Sequence, residues 1–265
     1  MATTKSPKKR PAAKAAKAPA ARMTIKEAMG ALEKAGSAQT RKTYARHGAA
    51  EPMFGVSFAF LKALVKRIGV DHDLALALWG TGNFDARNLA VKIADPARMS
   101  PRDLDRWARD YQVRMCGMYM ASLTAEGPHA PAKAAQWLAS KAQTERCTGW
   151  GLVGQMASRD EATPDAWFAD LLARIERTIR SAPNFEREAM NHAVIAIGGR
   201  SAALRKSALA AARRIGKVEV DQGDTACKTP EAGPYIEKMW AHAAAKSFES
   251  PAAQEREREW PRTRC

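Results

Sequence analysis

The sequence predicts an all-α protein in which antiparallel helix pairs stack into an α-solenoid. Ala, Leu, Arg and Lys are frequent whereas Val, Ile, Thr and Tyr are sparse, and this bias favours helix over strand. Apolar residues recur at alternating steps of three and four, as in Phe58, Leu61, Val65 and Ile68. Short breaker sequences separate segments of ordinary helix length, which is typical of stacked pairs. A compact helical bundle is the alternative that periodicity leaves open.

From Met23 onward the helical pattern is almost continuous. Two further stripes are Phe168, Leu172, Ile175 and Ile179, and Leu204, Ala208, Ala211 and Ile215. The small residues of the last stripe would let a neighbouring helix approach closely. The breakers include Gly69, Gly80, Gly82, Pro96, Pro101, Gly127, Pro164, Pro183, Gly198 and Gly199. Ser100 before Pro101 and Thr163 before Pro164 predict helix starts, each with an N-cap followed by proline.

The N-terminal segment, residues 1–22, is strongly basic. It carries seven basic residues and no acidic one, and after Met1 it contains no large apolar residue. These are Lys5, Lys8, Lys9, Arg10, Lys14, Lys17 and Arg22. Such a segment cannot bury enough surface to offset its ordering entropy, so we predict a disordered tail, similar to those of linker histones. A solvated leader without a specific role is the alternative.

The whole chain has a net charge of +15, from 43 basic and 28 acidic residues. Residues 23–265 therefore keep an excess of +8 without the tail. Basic excess in both parts indicates a polyanionic partner. An anionic membrane is the rival partner, but the tail lacks the bulky apolar residues that membrane binding requires.

Several classes of protein are not expected. No apolar run approaches the ~18 residues of a membrane span, and no apolar stretch follows the N-terminal charges as in a secretory signal. The cysteines are Cys116, Cys147, Cys227 and Cys265, without a CxxC pair, and the five histidines are scattered. We therefore expect a cytoplasmic protein with free thiols, no metal site and no cofactor.

After Lys217 the helical pattern breaks. Residues 218–230 contain acids, Gly, Thr and Pro and predict a long loop, followed by a helix that lies within 218–248. Asp221 and Asp224 are candidates for a cation site, but an Asx-type loop is the simpler interpretation. Residues 249–265 are charged, and we expect them to be frayed. Residues 23–217 form the predicted repeat domain.

One block of the sequence reads LWGTGNFDARNLA at residues 78–90 and continues to Ile93-Ala94-Asp95-Pro96. This block resembles the DNA alkylation repair family, bacterial alkylpurine glycosylases built from HEAT-like repeats. Residues 107–110 and 197–200 are also similar to the family, and so is the segment after Asp221. The resemblance implies a curved, right-handed superhelix whose concave basic face grips double-stranded DNA.

The same resemblance marks three positions where family members hold the lesion. Arg114, Met118 and His192 stand where a Trp, an Asp and a second Trp are expected. Expelling an alkylated purine develops positive charge at the sugar, which a carboxylate stabilises and aromatic faces accommodate. Met118 carries no negative charge, and Arg114 would repel a cationic base. Asp110 is the one nearby acid that a shifted register would bring into the role.

Basic residues on the predicted helices are candidates for phosphate contacts. The predicted DNA contacts are Arg87, Arg109, Arg114, Arg200, Lys206, Arg213 and Lys217. Helix faces of one charge are often only solvated, which is the alternative for each of them. Tyr111 and Trp150 are candidate aromatics of the DNA groove, although core packing is the favoured interpretation of Trp150 and an equal alternative for Tyr111.

The sequence thus predicts a monomeric, nucleoid-associated protein that engages alkylated or distorted duplex DNA. We expect little or no base excision, because the lesion-site residues are replaced. If excision is retained, the reaction is the release of N3- or N7-alkylated purines. A non-enzymatic module, architectural for DNA or a scaffold for proteins, is the alternative.

Overall fold

The structure, a computed structural model, describes residues 22–110 and 114–264, and helices form nearly all of its regular structure. The helices are α1 Ile25–Ala35, α2 Ala38–Arg46, α3 Phe58–Ile68, α4 His72–Gly80, α5 Phe84–Ile93, α6 Pro101–Asp110, α7 Arg114–Glu126, α8 Ala130–Leu138, α9 Gln143–Arg159, α10 Asp165–Thr178, α11 Asn184–Gly198, α12 Ala202–Ile215, α13 Ala232–Ala244, α14 Pro251–Arg256 and α15 Pro261–Arg264, with a 3₁₀ turn at Pro96–Arg98. Within these residues, β pairing is limited to an isolated bridge between Gly36 and Val56. The predicted basic tail lies outside the described residues, apart from Arg22.

None of the described helices combines the length and the apolar character that crossing a membrane would require.

The regular structure of the described residues consists of helices and one isolated β-bridge, so the all-α prediction is confirmed.

The helix starts follow local capping chemistry. At α1 the Thr24 hydroxyl accepts from the Glu27 amide at 3.2 Å, while the Glu27 carboxylate accepts from the Thr24 amide at 2.8 Å. The predicted start at Ser100 is confirmed, because its hydroxyl accepts from the Asp103 amide at 3.1 Å. The prediction for Thr163 is wrong. Its hydroxyl donates to Asp160 instead, and α10 begins one residue after Pro164 without a side-chain cap.

Most helices belong to two layers that alternate along the chain. We call α4, α6, α8, α10 and α12 the A layer, and α5, α7, α9, α11 and α13 the B layer. Each B-layer helix packs against the next one in the sequence and against the A-layer helix that precedes it. This sequential stacking is the predicted repeat arrangement rather than a compact bundle.

Small residues allow the B layer to pack closely around α9, its longest helix. A methyl group added at Gly151 would lie 3.3 Å from Cβ of Ala121 on α7. One added at Gly154 would lie 3.5 Å from Cβ of Ala196 on α11. The flanking helices therefore sit against the backbone of α9 rather than against long side chains.

A buried carboxylate joins the N-terminal helices to the stack. Asp85, in the first turn of α5, is fully buried and accepts hydrogen bonds from the amides of Phe54, Gly55 and Val56 at 2.6, 3.0 and 2.8 Å. The Tyr44 hydroxyl donates to the Val56 carbonyl at 2.6 Å. The loop before α3 is thus anchored to α5, since a buried carboxylate with three donors is expensive to expose.

The C-terminal segment is folded, contrary to the expectation of a frayed tail. Residues 249–264, which we call the C-terminal strap, return along the B layer: α14 packs on α9 and α13, and α15 packs on α7, α5 and α3. The strap begins at Ser250, whose hydroxyl caps α14 by accepting from the Ala253 amide at 3.1 Å. The Ala252 amide donates to the Gly199 carbonyl at 3.0 Å.

The strap ends in a buried arginine. Arg262 is 3% exposed, and its guanidinium contacts both carboxylate oxygens of Glu126, at 2.6 and 2.7 Å. The same group donates to the carbonyls of Val91, Lys92 and Ala94 at the C-terminal end of α5. In return, the Lys92 ammonium donates to the Arg262 carbonyl at 2.8 Å. Charge pairing and carbonyl contacts together compensate the burial of this cation.

Replacing Arg262 should destabilise the whole protein. Arg262→Met leaves the Glu126 carboxylate buried without its partner, which costs about 3–5 kcal/mol of unfolding free energy. The double variant Arg262→Met/Glu126→Met removes both charges and should regain part of that loss. Urea unfolding followed by circular dichroism measures each value.

Arg98→Met is the matched control, because Arg98 pairs with Asp73 at the surface with 54% of its side chain exposed. Its loss should cost less than about 1 kcal/mol. An Arg262→Met protein with the wild-type urea midpoint would show that the buried pair does not hold the strap.

Candidate nucleic-acid interface

Two of the three predicted lesion-site positions meet in one cleft. Met118 lies on α7 and His192 on α11, both are exposed, and both line the same cleft on the B layer. The third position, Arg114, begins α7, but its side chain lies outside the described part of the chain, as does the whole of Tyr111. Two positions that the resemblance marked at separate points in the sequence therefore lie in the lining of one cleft.

The cleft has a volume of about 560 Å³ and lies between the B layer and the C-terminal helices. Its floor comes from α9 and α11, with Ile195 and Ala196 among the apolar residues. Its opposite wall comes from α13 and the strap, which contribute Tyr235, Lys238 and Arg258. The sequence analysis missed the part of this wall that the strap supplies, because it expected residues 249–265 to be frayed.

A signal for the missed wall was present in the sequence. Ser250-Pro251 repeats the Ser100-Pro101 pattern that correctly predicted the start of α6.

The strap also brings a carboxylate into the cleft. Among the described residues that line it, Glu255 is the one acid. Glu255 pairs with Arg159 at 3.1 Å and with Arg258 at 3.3 Å. Asp110, the acid considered from sequence, is not among the lining residues. Its backbone carbonyl instead accepts from the Arg87 guanidinium at 2.9 Å at the end of α6.

Arg87 has a packing role. Its guanidinium lies 5.0 Å from the centre of the Trp79 ring and donates to the carbonyls of Trp79 and Asp110. Trp79 in turn stacks on Trp107 with 4.2 Å between ring centres. Arg87 is half-buried, so these contacts give it a packing role, and its contact with phosphate stays a prediction.

Arg200 is likewise internal. Its side chain is 8% exposed, pairs with Asp165 at 2.8 Å and lies 4.5 Å from the centre of the Phe168 ring. Burial opposes ionisation of Asp165, but hydrogen bonds from the Ser201 hydroxyl and Arg200 hold the pKa of this carboxyl below its usual range. Arg200 therefore joins α10 to the turn before α12, and its prediction as a DNA contact is corrected.

Trp150 belongs to the core. It is fully buried, and the Arg174 guanidinium lies 5.4 Å from its ring centre. The groove role is thus excluded for Trp150.

Arg109 remains at the surface with 61% of its side chain exposed, and it pairs with the buried Glu145 at 2.6 Å.

The predicted basic face of α12 is exposed. Lys206, Arg213 and Lys217 all face solvent, and Lys217 lies 3.3 Å from the equally exposed Glu219. The other two basic residues of this segment are engaged elsewhere, Arg205 with Glu237 and Arg214 with Glu176. This end of the stack thus presents several cations to solvent.

Charge is unevenly distributed along the stack. Residues 22–70 carry nine basic and three acidic residues, and residues 202–217 carry five basic and no acidic ones. Residues 71–201, between them, carry sixteen of each sign. The net positive charge of the helical stack therefore lies at its two ends, which we call the basic ends.

The loop after α12 has the Asx-type geometry. The Asp221 carboxylate accepts from the Gly223 amide at 2.8 Å, and its backbone exchanges two hydrogen bonds of 2.8 Å with the Asn184 side chain. In the described ranges, no group of three or more His, Cys, Asp or Glu side chains is arranged to hold a metal ion.

Comparison with known proteins agrees with this architecture. A sequence profile of the family described as DNA alkylation repair enzyme matches residues 28–236. The uncharacterized proteins Lin0241 of Listeria innocua and Lmo0209 of Listeria monocytogenes are each 27% identical over 205 residues, 75% of this chain and 89% of the relative.

A solved structure is also similar. It is described as a new family of proteins related to the HEAT-like repeat DNA glycosylases with affinity for branched DNA structures. It matches with a TM-score of 0.76 and 31% identity, over 83% of this chain and 95% of that chain. The stacked layers are thus a HEAT-like repeat fold, and this chain belongs to the DNA alkylation repair enzyme family.

Proposed function

We propose that this protein binds branched or distorted duplex DNA through its two basic ends and releases no bases by the route of the family's glycosylases. The basic ends carry the proposal, because they concentrate the cations of the stack where phosphates can reach them. The affinity of the structural relative for branched DNA supports the choice of substrate. Phosphate contacts of this kind position a protein on DNA without reading its sequence.

The strap limits which part of the B layer a duplex can contact. Lys92 donates to the Arg262 carbonyl, and Arg159 donates to the carbonyls of Arg258 and Glu259. The strap thus already occupies B-layer cations that would otherwise be candidates for phosphate contacts. The basic ends stay uncovered on the exposed faces of α3 and α12, for example at Lys66 and Arg213.

The spacing of the ends fits a branch point. Between α3 and α12 the helix contacts run through α5, α7, α9 and α11, which gives five helix-to-helix steps, and at 8–10 Å each this path is roughly 45 Å long. A branched DNA presents phosphates on arms that diverge from one point. Two basic ends separated by an electrically balanced centre can each contact a different arm, whereas a straight duplex would also have to follow the centre.

DNA binding should depend steeply on salt. Affinity for a three-way junction is expected to fall as salt rises, with a log–log slope of about 0.9 per phosphate contact. Deleting residues 1–22 should flatten the slope, and so should Lys206→Gln/Arg213→Gln. Fluorescence anisotropy across a salt series measures this.

Lys141→Gln is the matched control, because Lys141 is exposed near the balanced centre. Its slope should equal that of the wild type. Binding that ignores ionic strength would instead favour a protein scaffold, and equal slopes for all variants would exclude the basic ends as the contact surface.

Base release is expected to be weak or absent. Where the resemblance expects an Asp, Met118 offers no negative charge, and loss of such a stabiliser costs about 3–4 kcal/mol of barrier, roughly a hundredfold to a thousandfold in rate. The carboxylate that the structure does place in the cleft, Glu255, is paired with two arginines. The measurement is release of 7-methylguanine and 3-methyladenine from methylated DNA, with an active alkylpurine glycosylase as positive control.

Two variants make this test sharp. Robust release that disappears in Glu255→Gln would make Glu255 the functional replacement for the missing acid. Robust release that disappears in Asp110→Asn would assign the role to Asp110. No release by any of the three proteins, with DNA binding intact, is the outcome that the proposal predicts.

A further inference from the structure

The wall of the cleft belongs largely to a part of the chain that the family match does not include. The matched residues end at 236, whereas Lys238, His242, Glu255 and Arg258 all follow that point. Residues at the family's lesion-site positions therefore face groups that the family pattern does not specify. The chemistry of this cleft has to be derived from this chain itself.

The cleft combines flat or flexible apolar surface with cations. Tyr235 is 45% exposed and Met118 is 50% exposed, and both line the opening. Ile195 and Ala196 form part of the floor. An aromatic ring beside a polarisable thioether offers the kind of surface on which a nucleobase stacks.

The rim of the cleft favours an anion. Lys238 and Arg258 are exposed on the wall, and His242 lies one helical turn after Lys238 on α13. Glu255, the one carboxylate among the described lining residues, pairs with Arg258 and with Arg159, so the net positive charge of the rim comes from Lys238. Cations exceed carboxylates here, although residues 218–264 as a whole carry nine acidic and seven basic residues. The local excess thus arises from placement and not from composition.

The size of the cleft matches a small ligand. Its volume of about 560 Å³ lies in the range of sites for single small molecules, about 300–1,000 Å³. The strap closes the B layer on one side, and the burial of Arg262 keeps it there. What fits is one or two unpaired nucleotides, with a base against Tyr235 and a phosphate near Lys238.

We infer that this cleft binds an unpaired nucleotide of a branched DNA, as found in a single-stranded flap beside a junction. This inference rests on the proposed function and adds to it which part of the DNA enters the cleft. Stacking on the aromatic ring and contact with the rim cations are the two sources of affinity, as in other sites for single strands. The basic ends hold the duplex arms while the cleft selects the unpaired strand.

The test compares two DNA molecules and the full-length protein. One is a three-way junction with all arms paired, and the other has the same arms with a short single-stranded flap that carries 2-aminopurine. Wild-type protein should bind the flap junction at least about fivefold more tightly and change the 2-aminopurine fluorescence on binding. Tyr235→Ala and Lys238→Gln should each reduce the preference for the flap while leaving binding to the paired junction unchanged.

Matched variants separate a specific loss from general damage. Tyr235→Phe keeps the ring and should retain the preference, and Lys246→Gln removes a lysine just beyond α13 that does not line the cleft. Equal binding of both junctions by the wild type would overturn the inference and leave the proposed function standing. Loss of preference in Lys246→Gln as large as in Lys238→Gln would also overturn it. Failure to bind either junction would refute the proposed function itself.

Discussion

Close contact between the backbones of neighbouring B-layer helices is the constraint on which the rest of this structure depends. Gly151 and Gly154 of α9 face Ala121 and Ala196, so α7 and α11 approach α9 without intervening long side chains. This spacing brings residues 118 and 192, which are 74 positions apart in the sequence, into the lining of one cleft. Larger side chains at the two glycines would widen the layer, and the cleft and the surface under the strap would change with it.

The strap uses the layer that these contacts create. Arg262 of the strap binds a carboxylate and three backbone carbonyls. In return, backbone carbonyls of the strap accept hydrogen bonds from Lys92 and Arg159 of the B layer. Lys92 and Arg159, in the middle of the B layer, therefore bind carbonyls of the strap, whereas the cations at the ends of the stack remain exposed to solvent. The electrostatic character of the protein is therefore a result of packing as much as of composition.

The general fold follows from the sequence because helical periodicity and breakers are local properties, and the resemblance supplied the HEAT-like arrangement. Met118 and His192, the positions that the resemblance marked, line one cleft, and their role in DNA binding stays a prediction. Predictions of phosphate contacts were less successful, because they depended on knowing which groups in the fold each arginine contacts. Arg87 and Arg200 look like solvated cations in the sequence, but their partners include the carbonyls of Asp110 and Thr163, which lie 23 and 37 residues away. The same limitation hid the strap, since its acids and arginines suggest a solvated tail until their partners are known.

The strap also changes how a stack of repeats is expected to unfold. In an open array each repeat contacts only its neighbours, so the ends can melt while the middle stays intact. Here Arg262 donates to the carbonyl of Val91, 171 residues earlier, and thus connects α15 to α5. Separating the end repeats requires breaking this long-range connection first. The array is in effect closed into a loop, so its repeats should melt together, and the late-arriving C-terminus should complete folding only after the rest of the chain is in place.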